Sequence, residues 1–187
     1  MEQIKNLQPK EVFYYFNEIA KIPHGSKNTK AISDYCVAVA KAHNLKYYQD
    51  DLNNVIIVKE ATKGREGHKG VIIQGHLDMV TVQDEGVGHD FFKDPLNLFV
   101  DGDMLRAKGT SLGADNGIAV AYGLALLASD NISHPRLEVI LTVDEEIGLL
   151  GATAIDLSMI QGEYLINIDS DEEGMLLTSC AGGLRGT

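Results

Sequence analysis

The chain has 187 residues, enough for one domain with a sizeable core, and its 16 Lys and Arg against 27 Asp and Glu give a formal charge of −11. That balance argues against a nucleic-acid binder, which would show a basic face, and is compatible with a cation site. Cys36 and Cys180 match no zinc or redox spacing, the first residues hold no apolar signal core, and the longest apolar stretch, Ile118 to Ala128, is too short to span a bilayer. These features point to a soluble, cytoplasmic protein with neither a nucleic-acid nor a membrane partner.

In chain order, Pro9-Lys10-Glu11 opens a helix with Val12, Phe13, Phe16, Ile19 and Ala20 on one face. Ile22-Pro23-His24-Gly25-Ser26 breaks it, and a second helix carries Ile32, Tyr35, Cys36, Val39 and Ala40. Strands are expected at Leu45 to Gln49 and Val55 to Val58, with Asp51 to Asn54 as a turn. Lys63 to Gly70 reads as a hairpin loop leading into a central buried strand, Val71 to Gln74. Residues 81–96 look irregular, and Asn97 to Ala107 holds two strands around Asp101-Gly102-Asp103. A polar glycine loop, 109–117, feeds an apolar helix over 118–129. Leu137 to Val143 is a strong buried strand, a short helix covers about 149–155, and Tyr164 to Ile168 is the last strong strand. Met175 to Ser179 is placed to pair with a later segment. Helices interspersed among strands predict an α/β fold: a mixed, mostly parallel central sheet with helices on both faces.

Polar groups gather where these elements end: His76 with Asp78, Asp115, Glu145 with Glu146, and Asp169. In open α/β sheets ligands bind beyond the carboxyl ends of the strands. His76 and Asp78, two apart in extended backbone, point the same way, and a carboxylate beside an imidazole fixes its tautomer. If the strands are parallel neighbours, the four sets converge at one edge. Carboxylates brought that close repel unless a cation joins them, and one His with several carboxylates suits zinc, with manganese or cobalt as relatives. Of two adjacent glutamates, one can ligate while its neighbour faces the water, which divides Lewis-acid and general-base roles between them. Singly, Asp115 reads equally well as a helix N-cap, the Glu145-Glu146 pair reads more readily as a solvated turn, and Asp169 in its acidic run as surface.

These stretches resemble the zinc metallopeptidase superfamily of carboxypeptidase G, peptidase T and the carnosinases. Gly-His-Leu-Asp at 75–78, Gly-Ala-Asp-Asn-Gly at 113–117, Asp-Glu-Glu-Ile-Gly at 144–148 with Gly151-Ala152, and Ile-Asp-Ser at 168–170 match its signature segments in order. Leu112 to Gly117, Asn167 to Gly174, Ser179 to Gly183 and Ile22-Pro23 with Ser26 are similar to the bacterial aminoacyl-histidine dipeptidase branch. The resemblance implies a zinc-peptidase-like catalytic domain using two zinc ions per full-length subunit. His76 and Asp169 would ligate the first zinc, Asp115 would bridge, Glu146 would ligate the second, Glu145 would be the general base, and Asp78 would hold the imidazole. It implies hydrolysis of dipeptides, of Xaa-His type or of broad specificity, by metal-activated water, in a homodimeric parent. The family's second metal-ligating His and its inserted lid have no counterpart here, since neither His89 nor His134 sits in the matching motif. Residues 1–187 are therefore expected to be the N-terminal portion of such a domain, with the lid and the rest of the catalytic domain absent. The rival readings are an N-acyl amino acid amidohydrolase on the same scaffold and a truncated domain without catalysis.

Overall fold

A computed structural model describes residues 4–170 and 174–179. Asp171, Glu172, Glu173 and the stretch from Cys180 onward, read above as parts of motifs, lie outside the described residues. After a short 3₁₀ turn at Ile4–Asn6 come α1 (Lys10–Ile19), α2 (Lys30–Ala42), β1 (Lys46–Gln49), β2 (Val55–Lys59) and β3 (Val71–His76). Then follow β4 (Leu98–Asp101), β5 (Met104–Ala107), α3 (Ala114–Ala128), β6 (Leu137–Thr142), α4 (Leu150–Ala154) and β7 (Tyr164–Asn167). Met175–Ser179 forms no strand. No helix among the described residues is long and apolar enough to cross a membrane.

The main sheet has five strands in the order β1-β2-β6-β3-β7, and β4 and β5 form a separate hairpin. β6, β3 and β7 are parallel, while β2 runs antiparallel to both of its neighbours. Four of the five strands therefore point the same way. The expected β2–β3 hairpin does not form: β6 inserts between them, with Val58 opposite Glu138 and Ile72 opposite Glu138 in the two registers. The reason is burial. All six residues of β6 are buried, so it takes the middle position, covered on both faces.

Alternation within the strands sorts the core. Val55, Ile57, Ile73, Val139 and Leu141 face α1, α2 and α3, which supply Phe16, Ile19, Ile32, Cys36, Val120 and Leu124 to the main cluster. Ile56, Val58, Ile72 and Ile140 face the other way and meet Ile155, Met159 and Ile160, from the segment that follows the single turn of α4. Cover is thus unequal: three long helices on one face, one turn and a loop on the other. That loop is fixed by Glu138, fully buried, whose carboxylate accepts from the Gln161 and Gly162 amides and from Arg136 Nε at 2.7 Å. Removing such a carboxylate from water is compensated only by bonds of this kind.

Candidate metal centre

The parallel order β6-β3-β7 places the ends of three strands side by side, and the start of α3 crosses above them. β3 delivers His76 at its last residue, buried to 2 % exposure, and the chain continues to Asp78 at 1 %. The His76 Nδ1 lies 2.9 Å from the Asp78 backbone carbonyl and 3.5 Å from its carboxylate. A proton on Nδ1 donated to Asp78 leaves Nε2 as the atom facing the site. Nε2 is 3.1 Å from Asp115 Oδ1 and 3.9 Å from Glu145 Oε2.

Asp78 does more than hold the imidazole. Its Oδ1 accepts from the Glu145 amide at 3.0 Å, and its Oδ2 accepts from Ser26 Oγ at 2.8 Å and the Glu146 amide at 3.3 Å. One carboxylate thereby fixes the α1–α2 loop, the end of β3 and the backbone of the two glutamates. Lys27 N donates to Asp144 Oδ1 at 2.7 Å, a second tie between the same loop and the turn after β6.

Asp115 and Asn116 leave helical geometry, with φ/ψ of −84/105 and −111/27, and the peptide between them is cis. Gly113, just before α3, sits at φ 69, and a Cβ there would come within 2.8 Å of Met79 Sδ. Both demands select glycine. Asp115 projects outward, with 72 % of its side chain exposed. Asn116 is buried and reaches three partners: its Oδ1 accepts from His76 N at 3.2 Å, and its Nδ2 donates to Ile168 O at 2.5 Å and Asp169 Oδ1 at 3.2 Å.

Donor atoms of His76, Asp115 and Glu146 all lie within 4.8 Å of one another, the one such group among the described residues. Asp169 stands beside that group on the β7 side, its Oδ1 accepting from Asn116 Nδ2 at 3.2 Å. Glu145 stands on the other side, near His76 Nε2. All six residues singled out in the sequence therefore meet at one edge of the sheet. Two clefts flank Asp115: one of about 250 Å³ lined by Val80, Leu112 and Glu146, and one of about 430 Å³ lined by Ile118, Ile166 and Asp169.

The charges divide into a satisfied and an unsatisfied half. Burial pushes the His76 imidazole down, but the Asp78 carboxylate and carbonyl outweigh it and carry it up to about 9. Burial likewise pushes Asp78 up, and the bonds from His76, the Glu145 amide and Ser26 bring it down to about 2. Glu145, Glu146 and Asp169 are raised above the ordinary carboxylate range, by burial first. Neighbouring carboxylates add to this and His76 opposes it. A divalent cation relieves that repulsion, and one imidazole with several carboxylates is a donor set of the kind zinc takes. The residues present fit the metal.

Ser26 and Asn116 received no role from sequence reasoning. Both stand inside the motifs quoted above, but their partners lie 52 residues or more away in two of the bonds, Ser26–Asp78 and Asn116–Ile168, which spacing cannot reveal.

A mixed sheet whose parallel strand ends carry this donor set has the architecture of a peptidase catalytic domain. No family model matches the chain. Similar relatives include dipeptidases: the chain is 42 % identical over 184 residues to the cytosol non-specific dipeptidase of Escherichia coli, covering 98 % of this chain and 38 % of that protein. The crystal structure of aminoacylhistidine dipeptidase from Vibrio alginolyticus superposes with a TM-score of 0.88 at 44 % identity, over 91 % of this chain and 35 % of that one. The aminopeptidase PepT of Bacillus cereus shares the fold, with a TM-score of 0.70 at 24 % identity over 87 % of this chain and 44 % of that one. The chain thus spans 38 % of the length of the E. coli relative.

Proposed function

We propose that this chain carries the metal-binding and water-activating part of a dipeptidase that hydrolyses the peptide bond of a dipeptide. The observation that carries the reading is the convergence of His76, Asp115 and Glu146 donors within 4.8 Å, with Glu145 beside them, in a chain similar to dipeptidases along nearly its whole length.

Zinc is the metal proposed, two ions per subunit in the full-length enzyme, with manganese or cobalt as substitutes. His76 and Asp169 would hold the first and Glu146 the second, with Asp115 shared by both. A bound divalent cation supplies Lewis acidity, polarising the scissile carbonyl and easing deprotonation of water. Asp78 keeps the His76 Nε2 lone pair directed into the site and holds the 145–146 backbone in place. Glu145 takes the proton from water as it attacks the carbonyl carbon, then hands it to the leaving amine. In the metal-free protein burial and neighbouring carboxylates raise Glu145. The substrate is a dipeptide of Xaa-His type or of broad range, and the enzyme works as a cytoplasmic homodimer.

The test is zinc stoichiometry by elemental analysis together with hydrolysis of β-alanyl-histidine, ordinary dipeptides and N-acetyl amino acids. The wild type should retain zinc through gel filtration and favour dipeptides. Glu145→Gln should retain the same zinc and lose turnover by about 10²- to 10⁴-fold, the usual worth of a general base. A chain that retains no zinc would overturn the metal site, and undiminished turnover in Glu145→Gln would remove Glu145 as the base.

A further inference from the structure

β3 and β7 are paired from Val71–Tyr164 to Gln74–Asn167, and there the ladder stops. The last backbone bond across this pair runs from Ile168 N to Gln74 O at 3.3 Å. His76 lies two residues beyond Gln74 and Asp169 two beyond Asn167, so the two donor residues sit where the strands no longer bind each other. On its other side β3 remains paired with β6 as far as His76–Thr142. The His76 amide has its partner in the Asn116 side chain, and so does the Ile168 carbonyl.

A carboxamide offers the same acceptor and donor as a peptide group. The Asn116 side chain occupies the place a further rung would take, accepting from β3 and donating to the chain leaving β7. Its second N–H reaches Asp169 itself at 3.2 Å. Gly75 makes room for it: a Cβ at 75 would lie 2.4 Å from Asn116 Oδ1. Aspartate matches the shape but lacks the donors, and glutamine is one methylene too long for the gap.

We propose that Asn116 is a positioning residue of the metal centre. Its carboxamide acts as a wedge between the diverging ends of β3 and β7 and sets the spacing of His76 and Asp169 on either side of Asp115. The inference rests on the metal-site reading above and adds to it a residue that touches neither metal nor substrate.

The test compares the wild-type chain with Asn116→Asp and Asn116→Ala, titrated with zinc alone and with cobalt(II) followed by its visible absorption, at a temperature where circular dichroism shows each variant folded. Both variants should bind about 10- to 100-fold more weakly, the range for losing a residue that orients a ligand, with a changed cobalt spectrum. A merely structural role would lower the melting temperature and leave the affinity and spectrum of the folded protein alone, and that result would overturn the proposal. Amide exchange in the metal-free wild type gives a reading that needs no variant. The His76 amide should be protected although it has no strand partner on the β7 side, and fast exchange there would refute the wedge. A wild type that binds neither metal would instead overturn the metal-site reading, so the two failures are distinguishable.

Discussion

Asp78→Asn isolates what the Asp78 carboxylate does, because it keeps the shape and removes one acceptor and the charge. Asp78 is buried, and its two oxygens meet three donors besides His76: the Glu145 amide at 3.0 Å, the Glu146 amide at 3.3 Å and the Ser26 hydroxyl at 2.8 Å. With the new NH₂ at the Oδ1 place, it faces the Glu145 amide and the imidazole, both donors. Turned the other way it faces the Glu146 amide, and only Ser26 can adapt by rotating its hydroxyl to accept. Either orientation sets a donor against a backbone donor and removes the charge that strengthens the remaining bonds. One such unsatisfied donor costs about 1–3 kcal/mol. For a domain of this size each kcal/mol moves the melting temperature by about 2–4 °C, so a fall of about 2–12 °C is expected. The assay is thermal unfolding of the metal-free protein by circular dichroism near neutral pH, with zinc affinity measured in parallel. Affinity should fall too, since the imidazole loses its partner and the 145–146 backbone its anchor. A melting temperature that does not move would show that the carboxylate is not the hub its contacts describe.

Ser26→Ala removes a single hydroxyl from that buried carboxylate; a loss of about 1.5–3 kcal/mol is expected, read as a lower urea midpoint with an unchanged slope. In the metal-free protein, folding favours charged His76, so its contribution is whole below its ordinary 6.5 and fades as pH rises through about 9. Asp78 contributes fully above its ordinary 3.8 and loses that as pH falls toward about 2. Glu145, Glu146 and Asp169 are raised and favour acid further, so melting temperature against pH should peak between 3.8 and 6.5 without metal. A peak at alkaline pH would contradict the assignment. Zinc at a hundred times its dissociation constant should stabilise the wild type by about 2.7 kcal/mol and move that peak toward neutrality, and a chelator should reverse both.

Much of the site was legible because its parts lie at the ends of apolar runs. Val71-Ile72-Ile73 and Tyr164 to Ile168 announce strands, and the polar residues behind them have nowhere to go but the sheet edge. Strand partners were not legible. The loop Lys63 to Gly70 reads as a hairpin connection, yet β6 takes the place beside both strands, because pairing is decided by which strand can be buried on both faces. Glu138 shows the same limit: inside a strand a glutamate reads as solvent-facing, and only the distant amides of Gln161 and Gly162 make its burial tolerable. The sequence places Asp78 beside His76, but its bonds to the 145 and 146 amides cross 67 and 68 residues and leave no local pattern.

The two halves of the site have opposite physical character, and that difference explains how a cation would be held. Around Asp78 every strong bond is already made before metal arrives: the imidazole orientation, the Ser26 tie and the glutamate backbone are set by the fold. Glu145, Glu146 and Asp169, by contrast, are raised by burial first and by neighbouring carboxylates second, with only His76 opposing. The first half contributes geometry and the second contributes driving force. Without metal the proton on His76 partly balances the nearby carboxylates. With His76 as the proposed ligand, metal would have to displace that proton, so binding and proton release would be one event and affinity should climb with pH until His76 has lost it. A site organised only by its ligands would collapse or fold outward when emptied. In this one Asp78 and Asn116, neither of them assigned as a ligand, bear on the backbone at His76, Glu145, Glu146 and Ile168.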